Sequence, residues 1–221
     1  MLKLESITKS FHDGESDLQV LRGIDLALEP GKSLALLGAS GNGKSTLLQI
    51  AAGLEDPDSG DVFIMGRRLA TQSEAQLAEL RRRHLGFVFQ QFNLLPGLSV
   101  LDNLLFQRRL NGQKGQDDWT EEITGVLGLG PLLKRSVEVL SSGQQQRVAI
   151  ARALAHKPQV LFADEPTGNL HNSLSHQVMT LMIKLVTESR CSLLLVTHNR
   201  EMASFTNQQF LLEDGHLHEM V

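Results

Sequence analysis

The residues best suited to chemistry are nine consecutive positions between two apolar runs. They are Gly38, Ala39, Ser40, Gly41, Asn42, Gly43, Lys44, Ser45 and Thr46. Their spacing matches the phosphate-binding loop G-x-x-x-x-G-K-[ST]. The glycines let backbone N–H groups point at phosphate oxygens that a Cβ would obstruct. Lys44 can reach the β- and γ-phosphates, and the Ser45 hydroxyl can ligate Mg²⁺. The alternative, an ordinary glycine-rich turn, is disfavoured by the flanking segments.

Four further candidate residues follow three apolar runs that are typical of buried strands. Gln90 follows one run, Asp164 and Glu165 follow a second, and His198 follows a third. Ligands of open α/β sheets bind at the carboxyl ends of the strands, so these side chains are expected to meet at one nucleotide. Asp164 suits a direct or water-mediated Mg²⁺ contact, and Glu165 suits a general base. Taken alone, Asp-Glu after a strand is as consistent with a cap, and a lone histidine is more often structural.

The elements that must position these residues follow from periodicity. The run 33–37 predicts a buried strand, and the run 47–52, which stops at Gly53, predicts a helix whose N-terminus faces the loop. Alternating strands and helices predict a parallel sheet covered on both faces, and a helical stretch begins at residue 91 as an insertion. We expect a polar turn at residues 11–17 and a polar tail after Asp214-Gly215.

Two smaller sequence features have competing interpretations. A helix is predicted from Ser73 to Arg83, capped by Ser73 with Gln76. The basic run Arg81-Arg82-Arg83 at its end is interpreted as solvated, and a contact with a partner or a lipid headgroup is the alternative. The single Trp119 is interpreted as a packing residue.

Composition limits the classes of function. The chain has 221 residues, 41% of them apolar and 21% charged, which fits one large domain or two small lobes. A net charge of −4 gives no bulk basic field, so no nucleic acid partner is expected. We expect no secretory signal and no membrane span, so that a partner chain would do any membrane work. The single cysteine, Cys191, is expected to be a reduced, buried thiol, as in the cytosol.

The segment from Leu140 to Leu154 closely resembles the signature segment of the ATP-binding-cassette (ABC) ATPases. By this resemblance, four residues would close on the γ-phosphate of ATP held by a second subunit: Ser141, Ser142, Gly143 and Gln144. Gln90 would sense Mg²⁺ and the attacking water, and His198 would be the switch histidine at the γ-phosphate. Phe11 would stack on adenine, with His12 as the substitute. A phenylalanine that only anchors its loop is the alternative interpretation.

The resemblance covers nearly the whole chain and implies a fold. That fold is an α/β P-loop NTPase core, in which a RecA-like, mostly parallel sheet and an N-terminal antiparallel β subdomain carry an inserted α-helical subdomain. One ABC ATPase domain would occupy residues 1–221, with a core lobe at 1–90 and 157–221 and a helical signature lobe at 91–156. The implied cofactors are ATP and Mg²⁺, with Ser45, Gln90 and Asp164 at the metal. The implied assembly is a homodimer.

Residues 86–96 and 163–170 are similar to the branch that includes the lipoprotein-release, MacB-like macrolide-export and FtsE ATPases. This similarity implies an ATP-hydrolysing subunit on the cytoplasmic face of the inner membrane. Its partner would be a permease with a large periplasmic domain. Residues 92–103 would form the surface that contacts this permease. The alternatives are a regulatory scaffold with weak hydrolysis and a soluble ABC ATPase that acts on DNA or ribosomes.

Two positions depart from the family pattern. Ser142 stands where glycine is usual, and His171 stands where aspartate is usual. We predict an ATPase that assembles but hydrolyses ATP slowly. Ser142 adds a side chain near the phosphate, and His171 replaces the aspartate that links the two subunits in the family.

Overall fold

The computed structural model describes residues 1–13 and 16–220, and the side chains at positions 12, 13, 16 and 17 lie outside this description. Its strands are β1 (Leu2–Asp13), β2 (Ser16–Leu28), β3 (Ser33–Leu37), β4 (Ser59–Ile64), β5 (Arg67–Arg68), β6 (Leu85–Val88), β7 (Val160–Asp164), β8 (Ser192–Val196), β9 (Gln208–Glu213) and β10 (His216–Met220). Its helices are α1 (Lys44–Ala51), α2 (Glu74–His84), α3 (Val100–Leu110), α4 (Asp118–Val126), α5 (Ser142–Leu154), α6 (Asn172–Glu188) and α7 (Arg200–Ala203). Two compact units divide the chain, Met1–Arg81 with Ser192–Val221, and Arg82–Cys191.

The first unit contains two groups of strands. One is an antiparallel sheet in the order β2-β1-β4-β5. In the other, β3 pairs in parallel with β8 and β9, and β10 pairs antiparallel with β9. Every residue of β3 and of β8 is buried, which explains their continuous apolar sequences. The predicted class, a parallel core with an antiparallel N-terminal subdomain, is confirmed.

The second unit pairs β6 with β7 in parallel and contains helices α3 to α6. Side-chain caps begin three of the helices in this unit. Ser99 accepts from the Asp102 N–H at the start of α3, and capping boxes begin α4 at Asp117 and α5 at Ser141. The indole of Trp119 is buried and donates to the Leu154 carbonyl oxygen, as expected of a packing residue. Cys191 is buried, and burial raises the pKa of its thiol to about 12.

Two predictions of irregular structure were wrong. Residues 11–13 belong to β1 and residues 16 and 17 to β2, so these parts of the expected polar turn are paired strands, and residues 14 and 15 lie outside the described residues. The expected polar tail forms β10, which begins directly after Asp214-Gly215. In both places, pairing with a neighbouring strand outweighs the polar composition of the segment. Among the described residues, no helix is both long and apolar enough to cross a membrane.

Candidate nucleotide site

The loop between β3 and α1 has the backbone geometry of an anion cradle. Gly38, Gly41 and Gly43 have φ of 154°, 86° and 86°, which favour glycine. A Cβ on Gly38 would lie 2.6 Å from the Leu212 carbonyl oxygen, so this position also admits no side chain. Asn42 donates to the same carbonyl across 3.2 Å and thereby fastens the loop to β9.

Lys44 begins α1, and Gly43 is its N-cap without a side-chain hydrogen bond. The first N–H groups of the helix are therefore left for a ligand, and the helix dipole favours an anion there. Lys44 is only 6% exposed, and its Nζ donates to the Ala39 carbonyl oxygen across 2.8 Å. This ammonium group thus lies over the loop, where a phosphate would bind. Ser45 is exposed, one residue into the helix.

His198 is placed at the same edge as the loop by strand register. Leu36 of β3 pairs with Val196 of β8, so Gly38 and His198 each lie two residues beyond this pair. Thr197 donates its N–H to the Leu36 carbonyl oxygen and extends the pairing toward the loop. His198 is exposed, as a phosphate-contacting side chain must be.

Phe11 lies on β1 and is 43% exposed. Its cross-strand partner is Leu18, 61% exposed, so two apolar side chains are paired at the surface of this hairpin. The Lys9 ammonium lies 5.6 Å from the centre of the Phe11 ring. Phe11 therefore offers an accessible π-face for a base, whereas the His12 side chain lies outside the described ones.

In the second unit, Gln90 and Glu165 follow the carboxyl ends of the paired strands β6 and β7. Val88 of β6 pairs with Ala163 of β7, so each of these residues lies two positions beyond the pair. A Cβ added to Gly168 would lie 3.3 Å from the Gln90 Nε2 and 3.6 Å from the Glu165 Cβ, which places both side chains beside this glycine. Asn169 donates to the Gln90 carbonyl oxygen across 2.8 Å. Asp164 ends β7 and is half-buried.

Glu165 has a left-handed backbone, with φ of 45°. This conformation is uncommon for a residue with a Cβ and costs about 1–3 kcal/mol. The Glu165 carbonyl oxygen accepts from the Gly168 N–H across 3.0 Å, which closes the turn that holds it. Strain held in this way is typical of a functional position.

The signature segment begins α5 as a capping box. The Ser141 Oγ accepts from the Gln144 N–H across 3.4 Å, and the Gln144 Oε1 accepts from the Ser141 N–H across 3.0 Å. Both side chains are thus used by their own helix. Ser141 and Ser142 are exposed, whereas Gly143 is buried. A Cβ on Gly143 would lie 2.4 Å from the Leu174 Cδ2 at the start of α6.

Two supporting residues escaped the sequence analysis because their partners are far away in the chain. Asn169 fixes the backbone at Gln90, as described above. Arg152 of α5 donates to the Phe92 and Asn93 carbonyl oxygens, across 3.1 and 2.6 Å, and so fixes the segment that follows Gln90. No local pattern at either residue indicates these contacts.

The comparisons with known proteins agree on one family. The model of the family described as "ABC transporter" matches residues 21–168. The lipoprotein-releasing system ATP-binding protein LolD of Alcanivorax borkumensis is 41% identical over 222 residues, which span 100% of this chain and 97% of that protein. LolD 2 of Rhodopseudomonas palustris is 41% identical over 214 residues, 96% of this chain and 92% of that protein.

Solved structures are similar along the entire chain. A dimeric bacterial ABC transporter cassette has a TM-score of 0.89 and 34% identity, with 100% of this chain and 98% of that chain covered. The same values hold for a dimeric post-hydrolysis cassette bound to ADP and Pi. The chain therefore belongs to the ABC transporter family of ATP-binding cassettes, in the branch that contains the lipoprotein-release ATP-binding proteins.

Proposed function

We propose that this chain is the ATP-hydrolysing subunit of a bacterial inner-membrane transport system of the lipoprotein-release or macrolide-export type. The observation that carries the proposal is the loop at residues 38–46. Its glycines, the uncapped start of α1 and the buried Lys44 ammonium supply donors and positive charge for a triphosphate. Phosphoryl transfer depends mainly on such positioning and electrostatic stabilisation.

Each remaining candidate has one role in this proposal. Phe11 stacks on the adenine ring. Glu165 accepts a proton from the attacking water, and Gln90 and His198 orient that water and the γ-phosphate. Lys44 and the loop amides of Gly38 to Thr46 neutralise the charge that develops on the phosphates.

The residues present fit Mg²⁺, which prefers oxygen ligands and keeps several waters. Ser45 offers an exposed hydroxyl, and Asp164 offers a half-buried carboxylate at the end of β7. Gln90 adds an amide oxygen. The described residues contain no group of three or more His, Cys, Asp or Glu side chains that would form a complete protein cage. Bound Mg²⁺ would supply charge neutralisation on the phosphates.

The signature residues Ser141, Ser142, Gly143 and Gln144 would complete the site of a second copy. Support comes from the exposure of Ser141 and Ser142 at the N-terminus of α5, where the helix dipole favours an anion. Two chains would then enclose two nucleotides head to tail. The dimeric cassette structures similar to this chain support that assembly.

The membrane partner in this proposal is a permease with a large periplasmic domain, bound at the cytoplasmic face of the inner membrane. The LolD name of the relatives supports a transport partner. The permease would contact the segment of residues 92–103, which links Gln90 to α3. The chain would work as two lobes, a core lobe at 1–90 and 157–221 and a helical signature lobe at 91–156. ATP binding and hydrolysis by these lobes would shift the segment that contacts the permease.

Phosphate release by the purified chain tests the catalytic part of the proposal. Lys44→Ala should abolish nucleotide binding. Glu165→Gln should retain binding and lower the turnover rate by about 100-fold or more, the usual contribution of a general base. Glu188→Gln, at the exposed end of α6, is the matched control and should leave the rate within twofold of wild type. Undiminished hydrolysis by Glu165→Gln would remove Glu165 from the mechanism.

A further inference from the structure

Two edge strands of the first unit, β2 and β10, lie next to each other without forming a ladder. Among the described residues, β2 pairs only with β1 and β10 pairs only with β9, so each strand has one unpaired side. The Arg22 N–H donates to the Gly215 carbonyl oxygen across 2.9 Å and joins β2 to the turn that precedes β10. Beyond this bond, the described parts of both strands run on without backbone hydrogen bonds to each other. Unpaired strand edges of this kind readily accept another strand.

A cavity of about 600 Å³ opens beside these two strands. Residues 25–27 of β2 and Glu219 of β10 line it, and residues 3–6 of β1 with Gln208 and Phe210 of β9 complete its wall. All of these residues belong to the first unit. The volume is comparable with that of known ligand sites, which measure about 300–1,000 Å³.

Part of the cavity wall is apolar and remains accessible. Phe210 is half-buried and Ala27 is exposed, and both line the cavity. Phe210 is the cross-strand partner of Glu219, so an aromatic ring and a carboxylate are neighbours on adjacent strands. A ligand with an apolar side chain beside a charged one could contact both, and burial of the apolar side chain against Phe210 would be favourable.

The charged side chains of the cavity are mostly acidic. Glu5, Asp25 and Glu219 carry carboxylates, and Lys3 carries an ammonium group. Lys3 forms an ion pair with Glu5, and the Asp25 Oδ1 accepts from the Ser6 N–H across 2.8 Å. The Glu219 carboxylate has no ion pair and no hydrogen bond within the described part of the chain. The cavity therefore carries a net negative charge, and Glu219 is left for a cation from outside.

We propose that this cavity binds an extended, basic segment of a protein partner. Cationic side chains of the segment pair with Glu219 and Asp25, an apolar side chain packs against Phe210, and the main chain bonds to the unpaired side of β10. Side chains on one face of an extended segment repeat at about 6.6–7 Å, so separate carboxylates pair with separate cations. Main-chain hydrogen bonds give the affinity in this binding mode, and side chains give the selectivity.

The charge of the cavity disfavours three other occupants. A second copy in a symmetric contact would place the same carboxylates opposite each other. A nucleic acid would bring negative phosphates to a negative surface. A metal ion needs ligands grouped around it, and no three His, Cys, Asp or Glu side chains among the described residues are grouped in that way. The carboxylates of the cavity are thus suited to several cations along a segment.

An NMR titration of the purified full chain tests the inference. The probe is a hexapeptide of alternating lysine and valine with blocked ends, and a hexapeptide of alternating glutamate and valine is its control of opposite charge. At about 1 mM peptide, where even weak binding is detected, we expect the basic peptide alone to shift amide signals of β2 and β10. The same peptide should slow hydrogen exchange of amides in β10, because its main chain bonds to them.

Two substitutions remove the charges that the basic peptide should contact. Glu219→Gln and Asp25→Asn together should weaken its binding about tenfold, as for the loss of two exposed charge pairs. Asparagine at position 25 keeps an acceptor for the Ser6 N–H, so the local backbone contact is preserved. Glu213→Gln is the matched control, because it removes an exposed carboxylate of β9 that does not line the cavity. It should leave the affinity within about twofold.

Four results would overturn the inference. They are no shift with the basic peptide, shifts only outside the residues that line the cavity, equal binding of the acidic peptide, and equal weakening by Glu213→Gln. The last result would show attraction to the net charge of the chain instead of binding at this cavity. None of these outcomes depends on ATP hydrolysis, so they leave the proposed function as it stands.

Discussion

Ser142 and His171, the two single residues that depart from the family pattern, have different structural consequences. Ser142 is exposed in the first turn of α5, and its φ is not among the left-handed values. A serine there costs no backbone strain, so any effect must come from its side chain facing a ligand. His171 is the N-cap of α6 and makes no side-chain cap hydrogen bond. The first turn of α6 therefore lacks a stabilising contact that aspartate would supply.

We predict that His171→Asp raises the free energy of unfolding by about 1 kcal/mol, because the carboxylate would accept from an N–H group in the first turn of α6 and complement the helix dipole. Urea titration without nucleotide measures this gain. Phosphate release should also rise, and it should rise further in the Ser142→Gly, His171→Asp double variant. A wild-type turnover rate equal to that of the double variant would contradict the prediction of a slow ATPase.

His171→Asn is the control at this position. Asparagine caps a helix as well as aspartate but carries no charge. It should reproduce most of the gain in the free energy of unfolding. If it also reproduces the gain in turnover, helix capping explains the rate, and no charged link between subunits is needed.

The packing of two helices, α5 and α6, depends on the absence of a side chain at Gly143. Its added Cβ would approach the Leu174 Cδ2 to 2.4 Å and the Leu174 Cγ to 3.2 Å. We predict that Gly143→Ala lowers the free energy of unfolding by about 1–3 kcal/mol, the usual cost of overpacking. Urea titration measures the loss.

A double-mutant cycle assigns that cost to Leu174. Gly143→Ala in a Leu174→Ala background should cost at least about 1 kcal/mol less than in the wild type, because the conflicting atoms are gone. If the losses in the free energy of unfolding from the two substitutions simply add, a contact other than Leu174 requires glycine at position 143.

The basic run shows why some element-level features were hard to predict. Arg81 donates to the Gly53 carbonyl oxygen just after α1, across 2.7 Å, and Arg82 donates to the Leu110 carbonyl oxygen at the end of α3. Two residues that were interpreted as solvated therefore satisfy carbonyl groups at helix ends. Their partners lie 28 residues away in each case, and no local pattern reports a contact at that separation.

The elements themselves were largely predictable, since apolar periodicity and caps are local signals. β3 and α1 follow directly from the sequence. The strand nature of residues 216–220 did not follow, because β10 is mostly exposed and exists through its pairing with β9. The candidate site residues were likewise found by motif. The capping box of Ser141 and Gln144 was not predicted, although its spacing is the same as that of Ser73 and Gln76.

At the scale of the whole molecule, stability should depend on pH through His156. Burial lowers its pKa from 6.5 to about 4 in the folded chain, and nearby His84 and Arg108 act in the same direction. The unfolded chain therefore binds more protons between these two values. Above pH 6.5, His156 does not lower the free energy of unfolding. As the pH drops toward 4, His156 lowers the free energy of unfolding by about 2–3 kcal/mol.

Urea titrations at pH 7 and pH 4.5 measure this loss, and His156→Gln is the control. Glutamine keeps a donor for the Leu85 carbonyl oxygen but does not titrate. Its loss of stability between the two pH values should be smaller than that of the wild type by about 2 kcal/mol. Equal losses in both chains would exclude His156 as the source.

The central claim is that two copies of this chain close around ATP. Glu165→Gln isolates that step, since it should bind MgATP without hydrolysing it. Light scattering after gel filtration should give the mass of two chains with MgATP and of one chain without nucleotide. Lys44→Ala on the same background should give one chain in both conditions. A Glu165→Gln chain that stays single at saturating MgATP, or that pairs equally without nucleotide, would contradict the account.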